Sequence, residues 1–128
     1  IKAEHFKKEL PGLVVLIKSI CNVLPCPICS DHAQKYLPHL DKVKTQYELK
    51  LFFLRFHNAV NGRREIKLKP ETVLNDYKNK TLYKVINLWL VHFKTETGNS
   101  EYMSKALSRK VVKNNVINYF KKNLTNFN

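Results

Sequence analysis

Tyr47-Glu48-Leu49-Lys50-Leu51-Phe52-Phe53-Leu54-Arg55-Phe56-His57-Asn58-Ala59-Val60-Asn61-Gly62 is the stretch whose pattern decides the fold. Leu49, Phe52, Phe53, Phe56 and Val60 recur at helical spacing and share one broad apolar face, and Gly62 is placed to act as a C-cap. A helix this apolar is expected at the centre of the molecule. Upstream, Pro11 suits the first turn of a helix whose stripe is Leu13, Leu16, Ile17, Ile20, Val23 and Leu24, ending near Pro25. A short helix then runs from Pro27 through Ile28, Ala33, Tyr36 and Leu37 to Pro38.

Downstream, residues 63–69 read as a charged connector, and Pro70-Glu71 opens a short helix through Tyr77. Leu82, Val85, Ile86, Trp89, Leu90 and Phe93 make another amphipathic helix, ended by Thr97-Gly98-Asn99. Ser100-Glu101 leads into a last helix carrying Met103, Leu107, Val111, Ile117 and Phe120. No hairpin signal and no sustained alternation appear. The expectation is an all-α fold, a small bundle, with the 128 residues forming a single domain.

Lys18 breaks the first apolar run and Arg55 the second, so neither reaches the roughly 18 to 20 residues of a membrane helix, and a soluble protein is expected. The start at Ile1-Lys2-Ala3-Glu4 has no signal-peptide core and no initiator methionine, and reads as a fragment or processed form. A formal charge of +13 favours polyanions without choosing among them. The C-terminal stripe of Lys105, Arg109, Lys110, Lys113, Lys121 and Lys122 reads as a solvated helix face rather than a nucleic-acid surface. Its interleaved Tyr119, Phe120 and Phe127 form no single-strand stacking platform. Trp89 and Phe93 read as packing or dimer surface.

Three cysteines are too few for a disulfide-stapled scaffold, and Cys21 reads as a buried small hydrophobe. Cys26-Pro27-Ile28-Cys29 is different. Cysteines at i and i+3 near a helix start can close a short disulfide, and the helix dipole with its unpaired N–H groups lowers the pKa of one thiol. The intervening proline restricts the backbone and helps set the redox poise. Structural zinc competes for the same residues, since Cys26, Cys29, His32 and either His39 or His57 could supply four ligands. The βαβ frame of thioredoxin-like proteins is lacking.

His57 and Asn61 are i and i+4, and Asn58 and Asn61 are i and i+3, so three hydrogen-bonding side chains project from neighbouring positions. They suit an internal network or a solvated helix edge. Beside Phe53, Phe56 and Val60 they would also suit a planar heteroaromatic ligand with ribose or phosphate groups.

Pro25-Cys26-Pro27-Ile28-Cys29-Ser30-Asp31-His32 followed by His57-Asn58-Ala59-Val60-Asn61 closely resembles the flavin-dependent sulfhydryl oxidase family of the Erv/ALR type. Members carry P-C-x-x-C-x-x-H and then H-N-x-V-N on the next long helix. The resemblance covers roughly residues 10–78. It implies a four-helix-bundle-like, FAD-binding core over residues 1–78 and a helical C-terminal extension over 79–128. It implies catalytic Cys26 and Cys29, with Cys29 next to the flavin and Cys26 facing incoming thiols, and no metal. FAD contacts would come from His32, Tyr36, His57, Asn58 and Asn61, with Lys69, or else Lys67, at the diphosphate end.

The chemistry implied is attack of a substrate thiolate on the Cys26–Cys29 disulfide, reduction of FAD through Cys29, and reoxidation by molecular oxygen with release of hydrogen peroxide. Clients would be protein thiols or a thioredoxin-like carrier met directly by Cys26, since no further cysteine pair is present, and the working form a homodimer. The chain looks most like the compact members of large DNA viruses, which suggests host cytoplasm or virion. The family's W-x-x-x-H helix has no counterpart before Leu13, so either upstream sequence is lacking or that wall of the site is built differently.

Overall fold

The computed structural model describes residues 1–93 and 100–128, with side chains in the second stretch described from 106 onward. It contains α1 (Phe6–Asn22), α2 (Pro27–Leu40), α3 (Gln46–Arg63), α4 (Leu82–His92) and α5 (Ser100–Asn123). Short 3₁₀ turns cover Ala3–His5, Glu71–Tyr77 and Leu124–Asn126. The fold is all-α, with no strand among the described residues. None of its described helices is long and apolar enough to cross a membrane. The Thr97-Gly98-Asn99 stop and the side chains of Met103 and Lys105 lie outside the described residues.

Several helix ends differ from the sequence expectation. α1 begins at Phe6 and takes Pro11 into its interior. The turn ahead of the proline is held by burial of Phe6 and by the hydrogen bonds that Tyr119 and Asn126 donate to Glu9, which offset the lost N–H bond. α2 likewise runs two residues past Pro38, ending on the fully buried Leu40. The segment after Pro70 winds as a 3₁₀ turn.

α3 opens with a capping box. Thr45 Oγ1 accepts from the Glu48 backbone N–H at 3.2 Å, and the Glu48 carboxylate accepts from the N–H of Thr45 at 3.0 Å and of Lys44 at 2.7 Å. Those donors hold Glu48 below the usual carboxylate pKa. At the other end Gly62 lies inside the helix and is not the cap. Ile66 N–H bonds to Asn61 O at 2.8 Å and Glu65 N–H to Gly62 O at 3.2 Å, a Schellman arrangement closed by Glu65 at φ 57°.

The centre of the molecule is α1, and not α3 as its apolar face suggested. Leu10, Val14, Ile17 and Cys21 form one stripe, packed against Leu37, Leu40, Val43 and Phe52 of the α2–α3 hairpin. Leu16, Ile20 and Val23 form a second stripe, packed with Trp89 and Phe93 from α4 and Val112, Val116 and Phe120 from α5. Trp89 stacks on Phe93 at 4.5 Å between ring centroids, so both serve packing. On α3 only Phe52 is buried, while Phe53, Phe56 and Val60 stay half-buried.

A polar knot joins α1 to the C-terminal segment. The buried Glu9 carboxylate accepts from Tyr119 Oη at 2.5 Å and from Asn126 Nδ2 at 2.7 Å. Burial, with the Glu9 contact second, pushes the Tyr119 phenol far up. Arg109 is fully buried, so the C-terminal cations do not share one solvated face. The helix repeat carries Arg109 inward with Val112 and Val116.

Candidate functional site

Cys26 is the N-cap of α2 and Pro27 its first helical residue. The proline has no N–H to leave unpaired there, and its φ is already helical. Cys26 Sγ accepts from the Cys29 backbone N–H at 3.2 Å, doing the work an Asp or Ser side chain does at most N-caps. The corner between α1 and α2 is pinned by two further bonds. Ser30 Oγ donates to Cys21 O at 2.7 Å, and Gln34 Nε2 to Asn22 Oδ1 at 2.5 Å.

The two thiols titrate as a pair with opposite biases. A hydrogen bond from the Cys29 thiol, with the backbone N–H groups of Cys29 and Ile28 and the charge of Arg63, lowers the Cys26 pKa against a smaller opposing effect of burial. Burial, then the hydrogen bond and charge of Cys26, raise that of Cys29. The first proton that the pair loses therefore comes from Cys26.

From this corner α2 packs back on α3. His32 stacks on Phe56 with ring centroids 6.3 Å apart, and Tyr36 meets the same ring edge-on at 5.5 Å. His32 Nε2 is buried and has no hydrogen-bond partner. Burial first, then Arg63 and Lys35, lowers the His32 pKa and favours the uncharged ring.

The H-N-x-x-N face opens into a cleft of about 440 Å³ between α3 and the Glu71–Tyr77 turn. His57, Asn58, Asn61 and Lys69 line it, together with Phe53, Leu54, Val73 and Leu74. Lys50 and Tyr77 line it as well. His57 Nδ1 donates to Phe53 O at 2.8 Å, which leaves Nε2 for a partner outside the helix. Asn58 holds Lys69 in place: its Nδ2 donates to Lys69 O and its Oδ1 accepts from Lys69 N, both at 2.8 Å. Lys67 does not line the cleft.

The predicted site residues are thus not all in one depression. Tyr36 lines a second cleft of about 470 Å³ with His39, Lys42 and Arg55. His32 lies between α2 and α3, joined to His57 through the Phe56 ring, which is 5.9 Å from His57. Lys50 and Leu54 were missed, although 50, 54, 57, 58 and 61 follow the helical repeat and place both on the motif's face. Val73, Leu74 and Tyr77 had no sequence signal, because they arrive by a turn folding across α3.

A planar, amphipathic, polyanionic group such as FAD fits these residues. The apolar face of α3 is only half covered, a buried imidazole nitrogen lacks its partner, and Lys50 and Lys69 offer cations to phosphates. Four-ligand zinc does not fit, because no three His, Cys, Asp or Glu side chains converge on a metal position among the described residues.

Fold and site together define an all-α protein with a dithiol capping one helix and an H-N-x-x-N face on the helix packed against it. The chain belongs to the Erv1 / Alr family, whose sequence pattern matches residues 2–84. It is 41% identical over 66 residues to a protein of Invertebrate iridescent virus 3 provisionally named FAD-linked sulfhydryl oxidase 096R, a match covering 48% of this chain and 45% of that one. It is 37% identical over 65 residues to the similarly named 347L of Invertebrate iridescent virus 6, covering 44% of this chain and 59% of that one. The chain spans about half the length of these curated relatives. No solved structure matches it significantly.

Proposed function

We propose that the chain is an FAD-linked thiol oxidase that makes disulfides in protein clients. The observation that carries this reading is the dithiol at the N-terminus of α2, with its charge biased onto Cys26, on the helix whose His32 stacks on Phe56 of the helix bearing His57, Asn58 and Asn61. In the oxidised pair a client thiolate attacks Cys26 Sγ, the Cys26–Cys29 bond breaks, and Cys29 leaves as a thiolate. The second client thiolate attacks the client sulfur of the mixed disulfide and expels Cys26. The client has lost two electrons and both protein sulfurs are reduced.

FAD, when bound, supplies a two-electron acceptor that molecular oxygen can reoxidise to give hydrogen peroxide. His57, Asn61, His32 and Tyr36 would bind and orient it, Asn58 would fix Lys69, and Lys69 would meet its phosphates. Clients are read as protein dithiols or a thioredoxin-like carrier. The working form is read as a homodimer, for which Leu88 and Val91, exposed on α4, offer apolar surface.

The test is an absorption spectrum of the full-length protein with oxygen uptake on a small dithiol. A yellow protein that consumes oxygen is expected, and Cys29→Ser should keep the colour and lose turnover. A colourless, oxygen-inert preparation would remove the proposal.

A further inference from the structure

The turn that ends α3 carries two arginines, Arg63 and the cap residue Arg64. Phe52 of α3 packs with Leu37 and Leu40 of α2, and Phe56 with Tyr36 and His32, so each turn back along α2 meets a turn forward along α3. One turn further in this register, Cys29 comes level with the last turn of α3, where Arg63 and the cap residue Arg64 lie. The electrostatics agree, since Arg63 acts on Cys26, Cys29 and His32, and Arg64 on Cys29. Both arginines are exposed, and Ile28 between the cysteines is 69% exposed. The Schellman bonds at Glu65 and Ile66 hold the backbone of this turn in place.

We infer that Arg63 and Arg64 form a cationic collar beside the outer thiol, selecting thiol and disulfide partners that carry carboxylates next to the reacting sulfur, with Ile28 as an apolar contact. That these partners are clients to be oxidised rests on the proposed function; the collar's action on Cys26 does not. Guanidinium groups meet carboxylates in a bidentate fork. At physiological salt a charge steers a partner's sulfur over about a Debye length, roughly 8 Å, so the cations nearest Cys26 dominate the steering.

The test uses the chain with Cys21→Ser and Cys29→Ser, in which Cys26 is the one remaining thiol. Its thiolate attacks an aryl disulfide, bonds to one half and releases the other as a thiolate. Rates are compared for the dianionic bis(nitrobenzoate) disulfide and the uncharged dipyridyl disulfide. Their ratio cancels any change in how much of Cys26 is ionised.

Adding Arg63→Gln with Arg64→Gln should lower the anionic-to-uncharged ratio by on the order of tenfold at low salt. Arg63→Lys with Arg64→Lys should keep most of it, and high salt should shrink it in the arginine form. An unchanged ratio in the glutamine variant, or an equal loss in the lysine variant, overturns the inference. The assay needs neither flavin nor oxygen, so failure of the oxidase reading shows separately, as missing colour and missing oxygen uptake.

Discussion

Cys26 and Cys29 are three residues apart yet meet different surroundings. At the N-cap, Cys26 Sγ faces the unpaired N–H groups of the first turn and the Cys29 thiol, all of which favour a thiolate. Cys29, inside the helix, is held protonated first by burial and then by its neighbour's charge. As pH rises, the first proton to leave the pair comes from Cys26. In the reduced protein, iodoacetamide should therefore label Cys26 at lower pH than Cys29, as read by peptide mass mapping across pH 6 to 10; first or simultaneous labelling of Cys29 would contradict the assignment. The sequence motif disclosed the dithiol and the lowered pKa of one thiol. The division of roles came from family resemblance, and the arginines behind it needed the α2–α3 packing.

At the scale of the element, α3 shows why a helix is easier to read than its ends. The 3.6-residue period made the helix plain from Leu49 to Val60, and the Thr45–Glu48 box sharpens its start. Its stop is set three residues beyond the glycine that seemed placed to cap it. Glu65 takes the left-handed conformation, which disfavours a side chain by about 1–2 kcal/mol, because the Ile66 and Glu65 N–H bonds require that geometry there. Glu65→Gly should relieve the strain and stabilise the protein by about 0.5–1 kcal/mol, after the greater freedom of glycine in the unfolded chain is counted. A higher urea midpoint at unchanged slope would show it; an unchanged or lower midpoint would refute it.

For the whole molecule, the arrangement turns on α1 serving two layers and on the knot that ties it to α5. Gly12 lies beneath Tyr119, and a Cβ there would come within 2.9 Å of Tyr119 Cε2. The ring has little room to withdraw, since Phe120 and Phe127 stand 5.2 Å and 6.4 Å from it. Gly12→Ala should destabilise the protein by about 1–3 kcal/mol, as overpacking does, despite alanine's better helix propensity. Tyr119→Phe should cost about 1–3 kcal/mol for a different reason, because the buried Glu9 carboxylate loses a donor. Both changes act on one contact, so the double variant should lose less than the sum in chemical denaturation. A fully additive double variant would mean that the two sites are not coupled.

What the sequence determined by itself was the all-α class, the number and approximate span of the long helices, the dithiol and the H-N-x-x-N face. Each of these rests on local spacing along one helix or one turn, which a linear sequence displays directly. Only the tertiary structure decided that α1 is the shared centre, that Pro11 and Pro38 lie within helices, that Arg109 turns inward, and that the charge of Arg63 acts on both sulfurs. It also divided the predicted site residues between two clefts and the α2–α3 seam. Those facts depend on which faces meet across long separations, and burial at such meetings outweighs the local preferences that a sequence pattern records.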